Sequence, residues 1–156
     1  MTYYDYYGMH DVVEEYADID YDKVKIASMN ERVESDEEHP ILGTYALASC
    51  IGLIASDKNK TYLLHAGTDY HDLIQDTLNL LQGVLQVLII PGYYTEMESI
   101  EGLTNDLKEC DPDLQIRTLN LSEFRNEEFE SIEFLYDTRR KEFIKGDFDC
   151  LLGRGR

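Results

Sequence analysis

The residues best suited to covalent chemistry lie in one stretch, "LGTYALASCIGLIASDKNKTYLLHAG", residues 42–67. Cys50 follows Ala48 and Ser49 at the end of one apolar run, and His65 stands 15 residues later at the end of another. A thiol becomes a strong nucleophile as it loses its proton, and imidazole can take that proton near neutral pH and then give it to a leaving amine. The small residues Ala48 and Ser49 leave room for a substrate carbonyl, and backbone N–H groups around Cys50 can hold the oxyanion that develops. Thr44, six residues before Cys50, is a neutral group able to orient the imidazole through its second ring nitrogen. The plain alternative is that Cys50 and His65 are two core residues on neighbouring strands, since cysteine is among the most buried residue types.

These side chains meet only if local elements bring them together. "ILGTYALA" and "CIGLIAS" read as strands that meet near Cys50, and the turn "DKNK" leads into a third strand, "TYLLH". A turn of that length makes the last two runs a hairpin, so Cys50 at the start of one strand and His65 at the end of the other are brought to the same end. Residues 70–85, "YHDLIQDTLNLLQGVL", carry apolar residues at helical spacing, with Thr68 or Asp69 able to cap the start. "QVLII" is a short buried strand stopped by "PGYY", and "EMESIEGLTNDLKE" places Ile100, Leu103 and Leu107 on one helix face that Cys110 extends. "LQIRTLNL" (114–121), "SIEFLYD" (131–137) and "KEFIKG" (141–146) return to strands, with a hairpin turn at Thr138 to Arg140. The expected fold class is α/β in the α+β sense, a mixed β-sheet sandwich with two main helices.

At 156 residues the chain is long enough for one well-buried domain and short for two. Its acidity is uneven: residues 1–39 hold twelve Asp and Glu against three Lys and Arg, half of the formal net charge of -18. Six of the twelve tyrosines crowd into the first 21 residues. Residues 1–40 therefore read as an acidic, tyrosine-rich arm, with one strand over "KVKIASM" (23–29) and a loop, "NERVESDEEHP", closed by Pro40. The arm is either a solvated segment or an interaction arm whose tyrosines dock on a partner or over the site. Residues 147–156 read as a short, mobile tail.

The charge argues against nucleic acid and against an anionic membrane, both of which demand clustered cations. No apolar run is long enough to span a membrane, and residues 1–7 lack the basic-then-apolar pattern of a secretory signal. Cys50, Cys110 and Cys150 are odd in number and without CxxC spacing, which fits a reducing, cytoplasmic setting. His71, with His65, Asp69 and Asp72, matches no ligand spacing, so no metal is expected and His71 reads as a surface residue.

Residues 42–67 resemble the segment that defines the CheD family of chemoreceptor glutamine deamidases, in which a Thr, a Ser-Cys pair and a His at the end of a following strand form the active site. The likeness extends over residues 41–146: a helix after the His, a short apolar strand ending near glycine ("VLIIPG"), a second helix and a final hairpin, "IEFLYDTRRKEFIKG". The same Cys-His arrangement is found in the catalytic domains of the cytotoxic necrotizing factor toxins. The resemblance implies that Cys50 is the nucleophile, His65 the base and Thr44 the orienting group, with no cofactor. Two departures bear on the substrate: Ala48 stands where the family usually has Gly, and "IPGYY" replaces its glycine-rich strand end.

The reading that follows is a cysteine-dependent deamidase of glutamine side chains in a protein substrate, linked to chemotaxis by resemblance. A -18 chain favours a basic or neutral partner over an acidic one. Two alternatives remain: a non-catalytic module of this fold that binds a basic partner through its acidic arm, and an effector-type deamidase acting on host proteins. Salt separates the module from the enzyme, because binding through the arm weakens steeply with ionic strength and survives Cys50→Ala.

Overall fold

The computed structural model describes residues 2–4, 9–13, 19–67, 70–81 and 86–153, the first two segments as backbone only. In chain order the elements are β1 (Thr2–Tyr4), β2 (Met9–Val13), β3 (Val24–Ala27), β4 (Arg32–Glu34), β5 (Ile41–Leu47), β6 (Ile51–Ser56) and β7 (Thr61–Ala66). They continue with α1 (His71–Leu80), β8 (Gln86–Pro91), α2 (Met97–Cys110), β9 (Gln115–Thr118), β10 (Arg125–Asn126), β11 (Ser131–Asp137), β12 (Glu142–Ile144) and α3 (Phe148–Leu152).

A seven-stranded sheet runs β1-β2-β12-β11-β5-β3 with β10 on β11, and a five-stranded sheet runs β4-β7-β6-β8-β9. Both are mixed: β3 runs parallel to β5, and β9 parallel to β8, among otherwise mainly antiparallel neighbours. Leu42, Leu47, Ile54, Leu63, Phe134 and Phe143 fill the layer between the sheets. The other face of the five-stranded sheet buries Leu53, Leu64 and Ile89 against Ile74 of α1 and Leu103 of α2. This is the expected α+β sandwich with two main helices, and it explains why β6 and β8 read as unbroken apolar runs: both of their faces are covered.

The hairpin β6–β7 is set locally. Asp57 accepts hydrogen bonds at one carboxylate oxygen from the N–H groups of Asn59 and Lys60, the short side-chain turn that Asp favours. The resulting register pairs Ser56 with Thr61 and Gly52 with His65. A slip of one residue would turn His65 from the layer between the sheets to the helix side, so this turn is what aims it.

Strand β5 is irregular in a way that matters to the site. Phe134 of β11 pairs with Thr44, but Ile132, two residues earlier, pairs with Leu47, three residues later. The extra residue is a bulge, and Ala46 carries it at φ 57. Thr44 and Leu47 thereby both face the inner layer, which regular alternation forbids.

Several expectations change. The segment expected as the loop 30–40 contains β4, which pairs with β7; β3 and β4 join opposite sheets, and β1 and β2 join the seven-stranded sheet through β12, so the acidic arm expected to hold one strand contributes four to the sandwich. Short strands of half-buried residues carry too little apolar signal to be read alone. Residues 148–152 form α3, capped by the Asp147 side chain on Cys150 N–H and closed by Gly153 at φ 66, where a mobile tail is expected. Phe148 anchors it in a third apolar cluster with Leu135 and Ile144. Cys110 does not extend the buried face of α2: it is exposed, and its Sγ lies 3.4 Å from Gln75 Oε1.

The helix expected over 70–85 ends at Leu80, with Leu81 already extended. Thr68, Asp69, Val84 and Leu85 lie outside the described residues, as do the side chains of Tyr3, Tyr4, Tyr6, Tyr7 and Tyr16. Tyr21 is described, and its hydroxyl accepts from Asp147 N–H at 3.0 Å, tying the start of β3 to α3. Among the described residues no helix is long and apolar enough to cross a membrane.

Candidate active site

Thr44 and His65 meet in the apolar layer between the sheets, and Cys50 packs into the same layer without a hydrogen bond to His65 Nε2. Thr44 on β5 and His65 on β7 are fully enclosed, at 0% and 1% exposure, while Cys50, just before β6, retains 7%. Sheet alternation accounts for the shared face: Gly52 is opposite His65, and Cys50 lies two residues before Gly52, so the two side chains are diagonal neighbours on one face. Gly52 adds no side chain between them, and Leu47 packs over it, with Cδ1 3.2 Å from where a Cβ would stand.

The Thr44 hydroxyl donates to the Ala27 carbonyl at 2.7 Å and lies 2.8 Å from His65 Nδ1. A hydroxyl has one proton, so with that proton committed to Ala27 it receives the Nδ1 proton of His65 as an acceptor. The tautomer follows: Nδ1 carries hydrogen and Nε2 carries a lone pair. His65 Nε2 is buried and has no hydrogen-bond partner among the described residues. Leaving such a group unpaired costs about 1–3 kcal/mol, which a histidine that served only to fill the core would not need to carry.

Burial pushes the His65 imidazole below its ordinary value, against smaller opposing effects of the Ala27 carbonyl and the Glu31 carboxylate. Burial likewise pushes the Cys50 thiol up. Both shifts favour the uncharged forms, so the pair rests as thiol and neutral imidazole rather than as thiolate and imidazolium. Such a pair works by proton transfer during attack, as serine and histidine do.

The strand end at 91–95 holds the loop before β6. Tyr93 N–H donates to Leu47 O and Tyr94 N–H to Ala48 O, each at 2.8 Å. The Thr95 hydroxyl accepts from Gly92 N–H at 2.8 Å and donates to Cys50 O at 3.2 Å. Gly92 must be glycine: a Cβ there would lie 2.5 Å from both Ala48 O and Cys50 O. Because the Ala48 carbonyl points at Tyr94, the planar trans peptide turns Ser49 N–H to the opposite side. Ser49 is exposed. The Ala48 amide is bonded to Ala46 O at 3.0 Å, so of the two expected oxyanion contributors Ala48 is already committed.

The structure thus gathers Thr44, His65, Cys50 and Ser49 at one end of the sandwich. His71 lies apart, exposed on α1, stacked on Tyr70 and 3.9 Å from an Asp106 carboxylate oxygen. Sequence reasoning missed the Ala27 carbonyl, Gly92 and Thr95. The glycine after a buried strand in "IIPGYYT" was the signal for the last two, and nothing in the sequence marks Ala27, whose contribution is a backbone oxygen. Comparison with models of known protein families gives no match, and comparison with curated proteins gives none.

Proposed function

We propose that this chain is a cysteine-dependent protein-glutamine deamidase of the CheD-like, necrotizing-factor-like type. The observation that carries the reading is the unpartnered lone pair of His65 Nε2, in a ring whose Nδ1 is held by Thr44 and on the same face as Cys50. In the first step Nε2 takes the Sγ proton as sulfur attacks the side-chain carboxamide carbon, and Ser49 N–H steadies the oxygen that becomes negative. Collapse breaks the C–N bond, with Nε2–H protonating the departing nitrogen, so ammonia leaves and a thioester remains. Water, losing a proton to Nε2, then attacks the thioester, sulfur leaves and recovers the proton, and glutamate is released. No cofactor takes part in any step.

Thr44 acts throughout by holding the imidazole in one tautomer, and the Gly92–Thr95 turn by holding Cys50. The test is incubation with a glutamine-rich denatured protein, following ammonia release and the amide-to-acid mass change, with hydroxylamine added to trap the thioester. Release that needs both Cys50 and His65 supports the reading. Release unaffected by Cys50→Ala, or none from any glutamine substrate alongside binding through residues 1–22 that persists in Cys50→Ala, overturns it.

A further inference from the structure

We propose that the substrate segment is an extended, acidic stretch of polypeptide that adds as a strand to the free edge of β9 and runs along a cationic groove to Cys50. The proposal rests on the deamidase reading for its chemistry and on separate features for its geometry. A groove of about 1010 Å³ runs between α2 and β9 and reaches Gly92 and Thr95, the residues that touch the Cys50 carbonyl. One end of the groove therefore lies against the turn that holds the nucleophile loop.

Charge is segregated there. Acidic residues outnumber basic ones 32 to 14 in the chain, yet among the described residues the groove lining includes Lys108, Arg117 and Arg125 and no Asp or Glu. Arg125 stacks over the Tyr93 ring at 4.2 Å and is partly neutralised by Glu127, 3.4 Å from its Nε. Lys108 and Arg117 make no ion pair among the described residues. Screening over about 8 Å at physiological salt lets this local field, rather than the distant net charge, act on a segment already in the groove. The net charge points to a basic or neutral partner; the groove selects an acidic one.

The form of the segment follows from the sheet. β9 is the last strand beyond β8, and all four of its residues line the groove, so the groove follows the strand edge. Leu119 N–H donates to Ile89 O, and Ile89 is the register partner of Thr118. In a parallel ladder this places the N–H and C=O of Ile116 and Thr118 on the side away from β8. Those groups are the docking points for an added strand.

The test measures binding of short fluorescent peptides with one central glutamine to the full chain carrying Cys50→Ala. Their flanks are acidic, neutral or basic, and two copies of the acidic peptide are N-methylated on alternate residues in the two opposite registers. The acidic peptide is expected to bind about five to ten times more tightly than the basic one, as a few partly exposed ion pairs allow. K108E/R117E should invert the order. Only one N-methylated register should weaken binding, by about tenfold, because an added strand bonds through alternate residues. Equal or tighter binding of the basic peptide, or methylation effects that are nil or equal in both registers, overturns the proposal. Ammonia release by the wild-type chain is scored separately: the binding pattern without release sinks the deamidase reading alone, and release indifferent to flanking charge and methylation sinks the docking proposal alone.

Discussion

Replacing Thr44 by Val keeps the side-chain shape and removes the hydroxyl that links the Ala27 carbonyl to His65 Nδ1. Two hydrogen bonds are lost in a fully buried place. Each is worth about 1 kcal/mol net, and a group left unpaired costs about 1–3 kcal/mol. The Ala27 carbonyl already acts on His65 and can accept Nδ1–H directly, so the expected loss of stability is about 1–2 kcal/mol rather than the sum of two orphaned groups. Chemistry should suffer more. Without the Thr44 oxygen the preference for the Nδ1–H tautomer falls by about 1 kcal/mol, roughly fivefold in population, and the ring is no longer held in line for Cys50. Ammonia release should therefore fall about tenfold to a hundredfold, with Thr44→Ser restoring most of it. Denaturant unfolding, nitrogen NMR of the His65 tautomer and turnover of the three proteins form the assay. Val and Ser variants with equal turnover, or an unchanged tautomer in Thr44→Val, would refute the orienting role and leave Thr44 as a packing residue.

His65 is held neutral below its ordinary value of 6.5, so the unfolded chain binds its proton first, and stability should fall as pH drops below about 6.5, by up to about 1.4 kcal/mol per unit until the folded ring protonates. His65→Gln should flatten that slope in denaturant titrations. Cys50, raised above 9.0 by burial, should lose stability on the opposite side, above about pH 9, and should alkylate more slowly than the exposed Cys110 and Cys150; intact mass spectrometry with iodoacetamide reads this directly, and rapid pH-independent labelling at Cys50 would contradict it. Gly92→Ala pushes a methyl into three backbone carbonyls and should cost about 1–3 kcal/mol by thermal melting while lowering turnover. Ala46→Gly, at φ 57, should be neutral or stabilising by up to about 1 kcal/mol, because relief of left-handed strain offsets the added chain entropy.

Much of this fold is legible in the chain because its causes are local. The runs at 41–47, 51–56, 61–66 and 131–137 are apolar and β-rich, the turns at Asp57 and Asp137 follow from their own side chains, and α2 shows its stripe of Ile100, Leu103 and Leu107. Elements whose cause is distant are not legible. β4 exists because β7 offers it a partner, and α3 because Phe148 fills a gap beside Leu135 and Ile144. Cys110 ends a correct periodicity yet is exposed, its Sγ meeting the polar end of Gln75 on α1.

The site divides in the same way. Residue types and one hairpin determined that a cysteine and a histidine reach one end of the sandwich, since a hairpin brings strand ends together whatever surrounds it. Only the tertiary structure decided that Leu47 returns to the inner layer beside Thr44 through the bulge at Ala46, and that the Ala27 carbonyl accepts the Thr44 hydroxyl. It also decided that Thr95, 45 residues from Cys50, holds the nucleophile loop. Those contacts join backbone and side chains of segments far apart in the chain, and no spacing along one strand encodes which carbonyl will stand opposite it.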